Sequence, residues 1–183
     1  MKLIILDRDG VINFDSDLYI KSPAEWRAIP GSIEAISRLN QNGFRVVVAT
    51  NQSGIGRGLF DMATLNAIND KMMEMVFRQG GRIDALFFCP HTATEQCGCR
   101  KPRTGMLEEI AARFHADLKG VPVVGDSLKD LQAAESVGAQ PVLVLTGKGT
   151  KTQSEDALPK KTIVFADLAE ASRHLIANVP AHA

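Results

Sequence analysis

Short apolar runs rich in branched side chains alternate along this chain with longer stretches whose apolar positions recur every three or four residues. Leu3-Ile4-Ile5-Leu6, Arg45-Val46-Val47-Val48-Ala49, Ala85-Leu86-Phe87-Phe88, Val121-Pro122-Val123-Val124, Val142 to Leu145 and Thr162 to Phe165 have the length and composition of buried strands. Between the first two runs, Pro30-Gly31-Ser32 opens a helix with Ile33, Ile36 and Leu39 on one face, stopped near Asn42-Gly43. Asp61 is placed to cap a longer helix whose Leu65, Ile68, Met72, Met75 and Val76 form a core-filling stripe ended by Gly80-Gly81. Further helices are expected over about 106–114, 129–137 and 168–177. Strands alternating with helices predict a parallel sheet covered on both faces. The expected fold class is therefore α/β, a doubly wound Rossmann-like sheet in one domain over 1–183, with no insertion long enough for a large cap.

Polar groups cluster where the strands end. Asp7-Arg8-Asp9-Gly10, Thr50-Asn51, Arg100-Lys101 and Gly125-Asp126 each follow an apolar run. In open α/β sheets the ligand crevice lies beyond the carboxyl ends of the strands, so the irregular stretches 9–30 and 89–104 should border it. Phosphoryl transfer needs an in-line nucleophile, a proton donor for the leaving oxygen and positive charge around the equatorial oxygens. Asp7 can attack phosphorus, and Asp9 can protonate the leaving alcohol and then activate water. Asp126 can complete a Mg2+ site with Asp7 and a backbone carbonyl, Lys101 adds a fixed cation, and Thr50 and Asn51 offer a hydroxyl and an amide. Asp130 suits either a partner of the metal site or Lys101, or a carboxylate at a helix start.

Other motifs fail on spacing. With Asp7 as the first ligand of a calcium loop, Leu18 falls where the bidentate Glu belongs. Gly54-Ile55-Gly56-Arg57-Gly58 lacks the dinucleotide spacing and no helix is expected to start there, and Gly147-Lys148-Gly149-Thr150 lacks the phosphate-loop spacing and reads as part of a loop over 147–161.

All three cysteines lie close together. Cys89-Pro90-His91 followed by Cys97-Gly98-Cys99 supplies four ligands suited to tetrahedral zinc, and four protein ligands make such a site structural. It would pin Arg100 and Lys101 at the rim of the crevice. His115, His174 and His182 have no such context and read as surface residues.

Composition narrows the partners. With 21 basic and 21 acidic residues in 183, the formal net charge is zero, which gives no bulk attraction to nucleic acid or an anionic membrane. The apolar run after Met1-Lys2 is too short for a signal peptide or membrane span, so a cytoplasmic protein is expected, acting as a monomer on a small molecule.

Asp7/Asp9, Thr50, Lys101 and Asp126/Asp130 together resemble the motifs of the haloacid dehalogenase superfamily of phosphotransferases. The resemblance implies Asp7 as nucleophile, Asp9 as acid/base, and Mg2+ held by Asp7, the main-chain carbonyl of Asp9 and Asp126. The zinc loop narrows it to small members without a large cap, which hydrolyse heptose bisphosphates or histidinol phosphate. The stretches 50–58 and 99–106 look most like the heptose bisphosphate enzymes, which implies substrate contacts from Asn51, Gln52, Ser53, Arg100 and Lys101. The function so implied is Mg2+-dependent removal of the 7-phosphate from D-glycero-D-manno-heptose 1,7-bisphosphate, serving the heptose of lipopolysaccharide. Histidinol-phosphate hydrolysis is the alternative, and a non-enzymatic sugar-phosphate binding module the alternative of another class. Thr104 and Ser127 depart from the pattern, where Pro and Lys are found in other members.

Overall fold

Six parallel strands make one sheet in the order β3-β2-β1-β4-β5-β6, in a computed structural model that describes residues 2–155 and 157–178. The strands are β1 (Lys2–Leu6), β2 (Phe44–Asn51), β3 (Ala85–Cys89), β4 (Pro122–Gly125), β5 (Gln140–Val144) and β6 (Ile163–Phe165). Helices α1 (Ser32–Gln41), α2 (Ser53–Gly56), α3 (Met62–Arg78), α4 (Gly105–Phe114), α5 (Leu128–Ser136), α6 (Gly149–Gln153) and α7 (Leu168–Asn178) connect or follow them. Each expected strand and long helix is present, in chain order. The doubly wound α/β class holds.

Alternation along the strands builds two cores. Ile4, Leu6, Val46 and Val48 face α1, α3 and α7, packing on Ile36, Leu39, Ile68, Met72 and Leu175. Leu3, Ile5, Val47 and Ala49 face the other way, onto Leu107 and Ile110 of α4 and Ala133 and Ala134 of α5. Because both faces are covered, the strands read as continuous apolar runs. Asp61 caps α3, its carboxylate accepting from the Thr64 N–H at 2.8 Å.

The structure differs from the sequence reading at three places. Met75 is 37% exposed, at the edge of the stripe whose Leu65, Ile68, Met72 and Val76 are buried. Short helices α2 and α6 lie where loops were expected, because four or five residues carry no hydrophobic period to detect. The placement of α6 comes from tertiary bonds described below. His182 lies outside the described residues.

Candidate active site

β1 pairs with β2 on one side and β4 on the other, so the chain winds away from β1 in both directions and a crevice opens at its carboxyl end. Asp7 stands there, its N–H bonded to the Val124 carbonyl of β4 at 2.9 Å. Asp126 follows β4 directly, and Asp130 lies in the first turn of α5. Carboxylate oxygens of Asp7, Asp126 and Asp130 all fall within 4.8 Å of one another. Lys101 enters this acid cluster with its side chain 3% exposed, its Nζ 3.1 Å from Asp7 Oδ1 and 2.5 Å from Asp130 Oδ1. The same ammonium donates to the Ala49 carbonyl at 2.7 Å.

Three carboxylates and one ammonium leave this enclosed site short of positive charge. Burial pushes Asp7 well above the usual carboxylate range; Lys101 opposes the rise, and Asp130, Asp126 and Asp9 add to it. Burial, reinforced by Asp130, pushes Asp126 up to about 7. For Lys101 burial disfavours the charge, yet Asp130 and Asp7 outweigh it and hold the ammonium above its ordinary value. The site therefore attracts a proton or a cation, and its hard oxygen donors fit Mg2+. Asp130 combines the two roles read for it: Oδ1 meets Lys101, while Oδ2 accepts from the Ser127 hydroxyl at 2.6 Å and the Ser127 N–H at 3.1 Å.

Asp9 points into a different set of donors. Arg8, with no exposed surface, sends Nε to Asp9 Oδ1 and Nη2 to Asp9 Oδ2, both at 3.1 Å, and Nη1 to Asn69 Oδ1 of α3 at 3.1 Å. Asn13 donates to Asp9 Oδ1 at 2.9 Å and Gln52 to Asp9 Oδ2 at 2.8 Å. Gln52 also reaches the Thr50 hydroxyl at 2.9 Å, which ties Thr50 to this network. Arg8 and Asn69 were missed from the sequence. The signal for Arg8 was present, since an Arg between two Asp can form a fork with either.

Asp126 is held by the segment after β5, the stretch read as a plain loop. Gly10 (φ +83°) and Gly147 (φ +57°) lie so close that a Cβ on either would strike the Asp126 carboxylate. The Lys148 N–H donates to Asp126 Oδ2 at 2.8 Å, the Thr152 hydroxyl to the Asp126 carbonyl at 2.8 Å, and the Thr146 hydroxyl to the Gly10 carbonyl at 2.6 Å. These bonds set the position of α6. A lysine and two threonines in a polar stretch gave no distinctive pattern to read.

On the opposite rim, Cys89, His91, Cys97 and Cys99 converge, with one potential ligand atom from each within 4.8 Å of the others. Their sulfurs are 2.9 to 3.6 Å apart and His91 Nδ1 is 3.3 Å from Cys99 Sγ. Bonds of about 2.3 Å to a tetrahedral metal put sulfurs roughly 3.8 Å apart, near the two separations made by Cys97, and Cys89 and Cys99 lie closer than that. Burial pushes the Cys89 thiol up to about 12. At Cys97 burial also works upward, but the Arg100 N–H and neighbouring thiols bring it down to about 7. Arg100 leaves the cluster with Nη1 donating to the His91 carbonyl at 3.2 Å. Asn51, read as a substrate contact, uses its amide differently: Nδ2 donates to the Lys101 carbonyl and Oδ1 accepts from the Lys101 N–H. A cleft of about 750 Å³ joins Asp7, Ser53, Arg100, Lys101, Asp126 and Lys148.

The HAD-hydrolase-like family model matches residues 98–171. The chain is 57% identical over 176 residues to the D-glycero-beta-D-manno-heptose-1,7-bisphosphate 7-phosphatase of Bordetella bronchiseptica, covering 96% of this chain and 98% of that one. The enzyme of that name from Pseudomonas putida is 54% identical over 176 residues, covering 96% and 100%. The crystal structure of the D,D-heptose 1,7-bisphosphate phosphatase of B. bronchiseptica, complexed with magnesium and phosphate, superposes with a TM-score of 0.96 at 56% identity, covering 98% of this chain and 100% of that one. The chain belongs to this family of HAD-like phosphatases.

For a HAD-like phosphatase the cleft has a clear division. One wall carries the carboxylates of Asp7, Asp126 and Asp130 around Lys101, and the far rim carries Arg100 beside the cysteine cluster. Asp7, Lys101, Asp126, Thr50, Ser53 and Arg100, spread over 120 positions in sequence, meet around that one opening.

Proposed function

We propose that the protein is a Mg2+-dependent phosphomonoester hydrolase that removes the 7-phosphate of D-glycero-D-manno-heptose 1,7-bisphosphate through an aspartyl-phosphate on Asp7. The observation that carries the reading is the Asp7 carboxylate at the sheet's switch point, beside Lys101 and within reach of Asp126 and Asp130, in a chain of this family.

One oxygen of Asp7 forms a bond to phosphorus while the bond from phosphorus to the C7 oxygen breaks. Asp9 gives its proton to the departing oxygen. As a carboxylate it then takes a proton from water, whose oxygen attacks phosphorus and releases Asp7 and inorganic phosphate. Because Asp9 is turned toward Arg8, Asn13 and Gln52, it must leave some of those donors to reach the leaving oxygen. Lys101 balances charge on Asp7 and on the transferring group, and Thr50 and Ser53 orient that group. Asp7, Asp126 and the main-chain carbonyl of Asp9 are the ligands for Mg2+, which when bound supplies positive charge against the phosphoryl oxygens and the clustered carboxylates.

Cys89, His91, Cys97 and Cys99 hold a structural Zn2+ in this reading, and Arg100 recognises the sugar phosphate. All of these residues come from one chain, so a monomer is sufficient. Among the described residues no helix is long and apolar enough to cross a membrane, and we place the enzyme in the cytoplasm with the biosynthesis of heptose for lipopolysaccharide. The test is kcat/KM for the heptose bisphosphate against histidinol phosphate. A clear preference for the heptose supports the reading, a preference for histidinol phosphate replaces it, and no turnover of either would favour a binding module. Retained activity in Asp7→Asn would overturn the mechanism.

A further inference from the structure

Lys148 combines a fixed main chain with a movable charge. Its N–H is bonded to Asp126 Oδ2 at 2.8 Å, which roots the residue at the acid cluster. Its side chain is 53% exposed, with Nζ 3.0 Å from Asp15 Oδ2 and 3.9 Å from Asp17 Oδ1. Both acids belong to the segment after β1 that forms another part of the cleft wall. Lys129 and Lys151 also line the cleft but lack this main-chain tie to the acid cluster, and two other cations there are already engaged. Lys101 is enclosed by Asp7 and Asp130, and Arg100 is bonded to the His91 carbonyl.

A sugar bisphosphate brings a second phosphate that Asp7 does not attack. That group must lie in the same cleft, where Asp15 and Asp17 would repel it. An exposed ion pair such as Lys148–Asp15 is weak, and a lysine ammonium on its flexible stem can turn to another anion while its backbone stays in place. A phosphate, with more negative charge than one carboxylate, competes well for it.

We propose that Lys148 sets the preference for a bisphosphate: its ammonium rests on Asp15 in the free enzyme and crosses to the phosphate that is not transferred when substrate binds. The assignment rests on the phosphatase reading above and adds a recognition residue to it.

The experiment compares kcat/KM for heptose 1,7-bisphosphate with that for the same heptose carrying only the 7-phosphate. In Lys148→Met the ratio of bisphosphate to monophosphate falls on the order of tenfold, chiefly through KM for the bisphosphate, as expected for one charge-assisted contact. In Asp15→Asn the ammonium is released from its resting partner and the ratio rises. A latch that merely joins two loops predicts the same sign for both variants; that result, or an unchanged ratio in Lys148→Met, overturns the assignment. If the unaltered enzyme hydrolyses neither sugar, the phosphatase reading itself fails, whereas turnover with no shift in ratio sinks only the role of Lys148.

Discussion

The side-chain amide of Asn51 is bonded to both polar groups of the Lys101 main chain, donating to its carbonyl at 3.1 Å and accepting from its N–H at 3.1 Å. The Lys101 ammonium in turn donates to the Ala49 carbonyl. Main chain and side chain of this lysine are thus both anchored on the end of β2, so β2 decides where the positive charge meets Asp7. Asn51→Ala removes two hydrogen bonds from a partly buried peptide and should cost about 2 kcal/mol in urea denaturation. Turnover should fall on the order of tenfold through kcat, because a misplaced cation stabilises the transition state less. An effect on KM alone would instead make Asn51 a substrate contact.

The cysteine cluster reaches the chemistry through the chain itself, since Arg100 and Lys101 follow Cys99 directly. Cys97→Ser should lower zinc content well below one per chain and open residues 89–104 to limited proteolysis. Activity should fall with the zinc content. Full zinc occupancy in this variant, measured by metal analysis, would remove the cluster from the list of metal sites.

How far the sequence could be read follows from the range of the interactions. Strands such as Leu3 to Leu6 announce themselves as continuous apolar runs, helices such as Leu65 to Val76 because their burial repeats every three or four residues, and the acids at strand ends stand out against those runs. The contacts of Arg8 with Asn69 and of Thr152 with the Asp126 carbonyl join residues 61 and 26 positions apart, with no local pattern to mark them. The residue type of Asn51 was legible as a site residue, but its partner was not. A side-chain amide in a crevice serves a substrate or a peptide equally well.

Arg8 makes a separate prediction. Its guanidinium is fully buried and forks onto Asp9, so Arg8→Met leaves a part-buried carboxylate without its main counter-charge and should destabilise the fold by about 3 kcal/mol. Arg8→Lys keeps the charge but loses the fork and the bond to Asn69. If Arg8 orients Asp9, the lysine variant should recover much of the stability yet still show a depressed kcat and an altered pH–rate profile. Equal recovery of both would confine Arg8 to a structural role.

The acid cluster ties stability to pH in a direction opposite to that of an ordinary surface carboxylate. Burial, with Asp130 close by, raises Asp126 from an ordinary value of 3.8 to about 7, and Asp7 is shifted the same way. Between those limits the folded Mg2+-free protein holds a proton on Asp126 that the unfolded chain has released. The associated stability is fully present below 3.8 and is lost as pH rises through about 7. In Mg2+-free buffer the melting temperature should therefore fall as pH rises from 3.8 to about 7. Asp126→Asn should flatten much of that slope, because it removes the titrating group and one of the repelling charges together. Mg2+ takes the place of the proton, so its affinity should rise across the same interval and its stabilising effect should be greatest at the alkaline end. Melting curves of both proteins, with and without Mg2+, decide the matter: an equally steep slope in Asp126→Asn would mean that other groups carry the pH dependence.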